Sequence, residues 1–167
     1  QTGDMLQPKF SIQQNGIKQI KTTYDIMQII KDKQFGGERP LFASHDLHID
    51  NVLITEGESA IKECSNIKAT NCRFEGNYPF WHVHGFEIEN CYFAVGGRSA
   101  LWYCDHPKMR DTVIDAPKMF REMSHLELKN VTMNAADEVF WRCDNIRIEN
   151  LKMHGGTYPF MSSQDVY

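Results

Sequence analysis

The residues best suited to chemistry in this chain fall in two adjacent registers that recur about every twenty positions. The first reads Phe42, Lys62, Trp81, Trp102, Arg121, Trp141 and Met161, and the second Ala43, Glu63, His82, Tyr103, Glu122, Arg142 and Ser162. All three tryptophans of the chain stand in the first register. Aromatic rings in a row, flanked by Arg, Glu and His, suit a sugar polymer: flat rings stack on pyranose faces while polar groups orient hydroxyls or uronate carboxylates. The candidate ligand-binding residues are therefore Trp81, His82, Trp102, Tyr103, Arg121, Glu122, Trp141 and Arg142. The alternative is that the stripe is covered by another part of the chain or by a protein partner, since soluble proteins rarely leave such a patch bare.

Reaction chemistry on this stripe is less well supported. Glu63 and Glu122 are three repeats apart, roughly 14 Å by strand spacing, whereas glycosidase carboxylates sit about 5 to 9.5 Å apart. A lyase acting on uronates needs a base and a cation against the substrate carboxylate, roles that Arg121, Arg142 and His82 have the chemistry to fill. The Asp cluster expected for a bound calcium is missing. Catalytic residues are left unassigned, with the balance against an enzyme. His82-Val-His84 would place two imidazoles on one strand face, but no third ligand recurs at a matching rung. No metal and no cofactor are expected.

Those registers imply an element that repeats. Asn51, Asn71, Asn90, Asp111, Asn130 and Asn150 keep the same step, as do Leu41, Ile61, Phe80, Leu101, Phe120, Phe140 and Phe160. A third series is Ser44, Cys64, Val83, Cys104, Met123, Cys143 and Ser163. Around each Asn, as in Leu126-Glu-Leu-Lys-Asn130-Val-Thr-Met133 and Ile146-Arg-Ile-Glu-Asn150-Leu-Lys-Met153, apolar and polar residues alternate with a period of two. That is strand patterning, and a unit this short cannot hold two helices and their turns. The fold class expected is all-β, a right-handed parallel β-helix with about twenty residues per coil. A leucine-rich repeat shares the period but not the residues. The Asn column is expected to turn the chain in the left-handed conformation and to stack as an amide ladder. The outward column His48, Lys68, Glu87, Lys108, Glu127 and Arg147 alternates in sign from Lys68 onward, which reads as an ionic ladder contributing about 0 to 1 kcal/mol per exposed pair. Gly36-Gly37 reads as a tight bend.

The run FGGERPLFAS (Phe35–Ser44), with ALWYCDHPKMRDTVIDAPKMFR (Ala100–Arg121) and CDNIRIENLKM (Cys143–Met153), resembles an uncharacterised family of bacterial proteins. That family is catalogued as domain of unknown function 3737 and has a pectin-lyase-like, right-handed β-helix fold. The resemblance covers roughly Met27 to Tyr167. It implies no established activity and no catalytic residues, and it raises carbohydrate work only by analogy of fold.

Composition narrows the classes further. Among 167 residues, 18 Lys plus Arg stand against 22 Asp plus Glu, for a formal net charge of -4. With a pI near 6.0 and no basic block, nucleic acid is not an expected partner, and no apolar run is long enough for a membrane helix. Residues 1–26 lie outside the period and read as an extension, cap or linker, with Thr22–Lys33 admitting a short helix; residues 27–167 form the β-helix domain. Asp165-Val-Tyr167 enters a further copy and stops inside its first strand, so missing C-terminal coils or a homo-oligomeric partner are expected to cover that end. Five cysteines without a CxxC pair read as free core thiols in a reducing, cytoplasmic compartment. A secreted or periplasmic location stays open, because Gln1 is not an initiator.

Overall fold

The computed structural model describes residues 27–97 and 101–167. Among the described residues every regular element is a strand, and every strand pair is parallel. The alternation in sequence dictates this directly. In Ser124–Met133, Leu126 and Leu128 point inward, Asn130 turns the chain at φ 52°, and Val131 and Met133 point inward again. Each coil thus winds its apolar residues to one side, and only the neighbouring coil can satisfy its backbone.

The coils stack in three sheets. The first joins β1 (Gln28–Lys31), β3 (His45–Asp50), β5 (Ile61–Thr70), β7 (Phe80–Glu89), β10 (Asp105–Ile114), β11 (Ser124–Met133), β12 (Asp144–Met153) and β13 (Gln164–Val166). A second joins β2 (Gln34–Glu38), β4 (Leu53–Glu58), β6 (Arg73–Phe74) and β8 (Tyr92–Phe93) to the ends of β10, β11 and β12. The third carries the stripe: Lys62 pairs with Trp81, Trp81 with Trp102 of β9 (Leu101–Trp102), and bridges continue to Arg121 and Trp141. The register follows the repeat, with Leu47 on Ile67, Ile67 on Phe86, and Phe86 on Pro107 of the least regular copy. The result is a parallel β-solenoid of about seven turns.

The helix admitted over Thr22–Lys33 is not formed in its described part. Gln28–Lys31 is β1, because its backbone pairs with Leu47–Asp50 and Ile30 packs against the core. The reading of residues 1–26 as an extension or cap lies outside the described residues.

The core is built of stacked like residues. Phe120 and Phe140 lie 5.0 Å apart at 9°, and Phe140 and Phe160 4.6 Å apart at 2°. Rung spacing imposes this near-parallel stacking on rings that would otherwise favour offset or edge contacts. All five cysteines are free and buried. Burial pushes the thiols of Cys104 and Cys143 up to about 12, so both are core residues without nucleophilic character at neutral pH.

The corners explain the Asn column and show three more that recur along the stack, besides a left-handed series confined to Phe120, Phe140 and Phe160. Asp32, Asn51, Asn71, Asn90, Asp111, Asn130 and Asn150 all have φ between 51° and 59°. Their amides form the expected ladder: Asn90 Nδ2 donates to Asn71 Oδ1 at 2.7 Å, and Asn150 Nδ2 to Asn130 Oδ1 at 2.9 Å. Asn71 departs from it by donating to Asp50 Oδ1 at 2.9 Å, an acceptor it shares with the Thr70 hydroxyl. A second left-handed column holds Asp46, Asn66, Gly85, His106, His125, Asn145 and Asp165, residue types that tolerate this conformation. A third is the register Ala43, Glu63, His82, Tyr103, Glu122, Arg142 and Ser162, and a fourth includes Arg39, Ser59, Tyr78, Lys118, Glu138 and Tyr158. The last two do not select such types, so their sequence carried no corner signal. Gly37 does turn left-handed, at φ 80°. A Cβ on Gly57 would run into the Gly37 carbonyl, so the second sheet also needs glycine for close approach.

The ionic ladder needs correction. Glu87, Lys108, Glu127 and Arg147 stack in register and are exposed, yet none of them makes an ion pair among the described residues. The pairs form one column over, Arg110 with Glu89 at 2.8 Å and Lys129 with Glu149 at 3.7 Å.

Candidate functional site

The stripe is continuous. Third-sheet pairing sets Lys62, Trp81, Trp102, Arg121 and Trp141 on successive rungs, and the corner after each places His82, Tyr103, Glu122 and Arg142 beside them. All eight predicted residues therefore share one surface. The rings lie along the solenoid axis, stacked on one another. Trp81 and Trp102 are 5.3 Å apart at 22°, and His82 and Tyr103 5.0 Å apart at 25°.

Cations occupy the remaining faces. Lys62 Nζ sits 5.2 Å from the Trp81 ring centre. The Arg121 guanidinium lies between Trp102 at 5.5 Å and Trp141 at 4.5 Å, and Arg142 covers Trp141 at 4.5 Å. Such contacts gain strength with desolvation, and the Arg121 side chain is only 15% exposed. Glu138 approaches Arg121 at 3.8 Å and is paired more closely with Lys118 at 3.1 Å. Glu122 lies 3.9 Å from Arg142. Trp102 Nε1 and Arg121 Nη1 are buried with no hydrogen-bond partner among the described residues.

This geometry changes what the stripe can do. Rings that stack on a sugar must offer open faces, but the three tryptophans are half-buried. Their faces, the part that would stack on a pyranose, are taken up by one another and by Lys62, Arg121 and Arg142. Edges remain, together with Tyr103 at 37% exposure and the more open ends Phe42 and Met161. Arg121 is committed to the rings rather than reaching out for a substrate carboxylate.

Sequence reasoning missed Tyr78, which packs edge-on against Trp81 at 5.3 Å and 63° and also meets Trp102 at 6.1 Å. It stands in the fourth corner column, whose mixed residue types offered no pattern. The strand face on which the sequence sets His82 and His84 together is broken by the corner: His82 turns left-handed at φ 51° and stacks on Tyr103, while His84 Nδ1 bonds Asp105 Oδ1 at 2.6 Å. Asp105 is held below the usual carboxylate range; burial works against this but is outweighed by the bonds and charges of His84 and His106. No helix among the described residues is long and apolar enough to cross a membrane.

A single stacked-coil architecture with like residues ranked on each face defines the class: a parallel β-solenoid. The chain belongs to the family described as protein of unknown function DUF3737, which matches residues 28–167. No functionally curated protein is significantly similar to it.

Proposed function

We propose that this chain is a rigid recognition scaffold whose contact surface is the aromatic and cationic stripe, and that the partner is a protein surface. The observation that carries this reading is the stacking of Trp81 on Trp102, with Lys62 and Arg121 over the outer faces. Such a stack offers a flat, preorganised edge instead of open ring faces. Trp, Tyr and Arg held in fixed positions are the residue types that dominate protein interfaces, and little side-chain entropy is left to lose on binding. A second reading, an oligosaccharide lying across the edge, is favoured by the exposure of Tyr103 beside the Glu122 and Arg142 pair.

Tryptophan fluorescence separates the two. Titration with neutral and acidic oligosaccharides is expected to leave emission unchanged, while a photo-cross-linker at Tyr103 captures a discrete protein that the same probe at Lys152 does not. A saturable emission shift with a sugar, abolished in Trp102→Ala, would replace the scaffold with a glycan site.

A further inference from the structure

The left-handed corner after Asp105 carries an arrangement with no part in the stripe. His106 and His125 stand on successive rungs, since Asp105 pairs with Ser124 in register. They share nearly the same backbone, at φ 53° and 56°. Their rings are 4.4 Å apart and parallel to within 3°. Two side chains leaving consecutive rungs in the same direction present equivalent nitrogens side by side.

Asp105 orients one of them. Its Oδ2 lies 3.5 Å from His106 Nδ1, while its Oδ1 is bonded by His84 Nδ1 at 2.6 Å. A proton on His106 Nδ1, facing the carboxylate, leaves Nε2 with its lone pair toward solvent. A carboxylate behind an imidazole is the usual support of a metal-binding histidine. Both imidazoles are exposed, and Gly85, at the same corner one coil earlier, has open space where a side chain would stand.

We propose that His106 and His125 form a two-imidazole site for a late first-row divalent cation (Zn2+, Ni2+ or Cu2+) that clips two neighbouring coils. Metal–nitrogen bonds of about 2.0 to 2.1 Å require both exposed rings to leave the parallel stack by turning about Cα–Cβ as well as Cβ–Cγ, so that the two Nε2 lone pairs converge on one ion. Water fills the remaining positions, since no group of three or more His, Cys, Asp or Glu gathers for a metal among the described residues. Imidazole donors favour these ions over Mg2+ or Ca2+. Asp105 is a positioning residue that acts through His106.

The test is calorimetric titration of the untagged chain with Ni2+ and with Zn2+, alongside thermal melting. One equivalent is expected to bind, with a melting temperature that rises with metal concentration. His106→Asn and His125→Asn keep a residue that suits the corner, as Asn66 and Asn145 do in the same column. Each is expected to weaken binding at least tenfold at an unchanged metal-free melting temperature. Asp105→Asn weakens it about tenfold or more, and His84→Gln retains it. In the unmutated chain, the ring-proton resonances of His106 and His125 should shift together during a Zn2+ titration. Absence of binding, binding that survives both Asn variants, or a titration that moves other histidine signals instead would overturn the site.

Discussion

Arg121 is the position where two opposing effects can be weighed against each other. Its guanidinium lies on two indoles, at 5.5 Å and 4.5 Å from the ring centres, with its side chain 15% exposed. A cation over an aromatic face contributes about 0.5 to 1 kcal/mol when exposed and about 2 when desolvated. The closer, better-covered Trp141 contact is assigned about 2 and the longer Trp102 contact about 1. Against this stands the buried, unbonded Nη1, an unsatisfied charged donor costing on the order of 1 to 3 kcal/mol, part of which Glu138 recovers. Replacement by methionine keeps length and apolar stem while removing the charge. Arg121→Met is therefore expected to destabilise by about 1 kcal/mol, read as a lowered urea midpoint at constant slope. A double-mutant cycle with Trp141→Leu isolates the contact and should return a coupling of about 1 to 2 kcal/mol. A variant as stable as the parent, with coupling near zero, would show that desolvation cancels the cation–π gain. The stripe would then be held by packing alone.

Three further outcomes follow from the corners, the thiols and the carboxylates. Asn90→Gly keeps the left-handed turn but loses the 2.7 Å amide bond to Asn71, whereas Asn90→Ala loses both; denaturant titration should rank alanine below glycine by about 1 kcal/mol. All five cysteines are buried, so a thiol reagent at pH 8 should label none in the folded chain and all five in denaturant; rapid native labelling would contradict the packing. Asp50 is held low first by the Thr70 hydroxyl and then by Asn71, and Asp115 first by Tyr92 and then by Asn134. Groups depressed in the folded chain add stability above their unfolded value of about 3.9, and that stability is lost as pH falls through the folded values. Acid titration should therefore show stability declining below about pH 4, and Asp115→Asn should flatten the decline.

Much of the solenoid was legible because its physics is local. Apolar residues at period two must face one side of a strand, and Asn51, Asn71, Asn90, Asn130 and Asn150 turn the chain where that alternation changes phase. Repeating this twenty residues later leaves only a neighbouring coil to complete the hydrogen bonds. The stripe was legible in part: composition and spacing ranked Trp81, Trp102 and Trp141 correctly by rung, but said nothing of how the rings would be used.

The sequence by itself thus determined strand, corner and rung, which depend on backbone period and on conformations that few residue types tolerate. Tertiary structure alone decided what meets across rungs. Indole faces closed on each other because coils stack one strand spacing apart, and Tyr78 joined them from a different corner. The paired charges formed at Arg110 and Glu89 instead of Lys108 and Glu87, because a short reach and a held geometry, not alternating sign, make an ion pair. Asp105 came to serve both His84 and His106 because His84 is its partner on the neighbouring rung, while the left-handed corner at His106, next in sequence, turns that ring toward the same carboxylate.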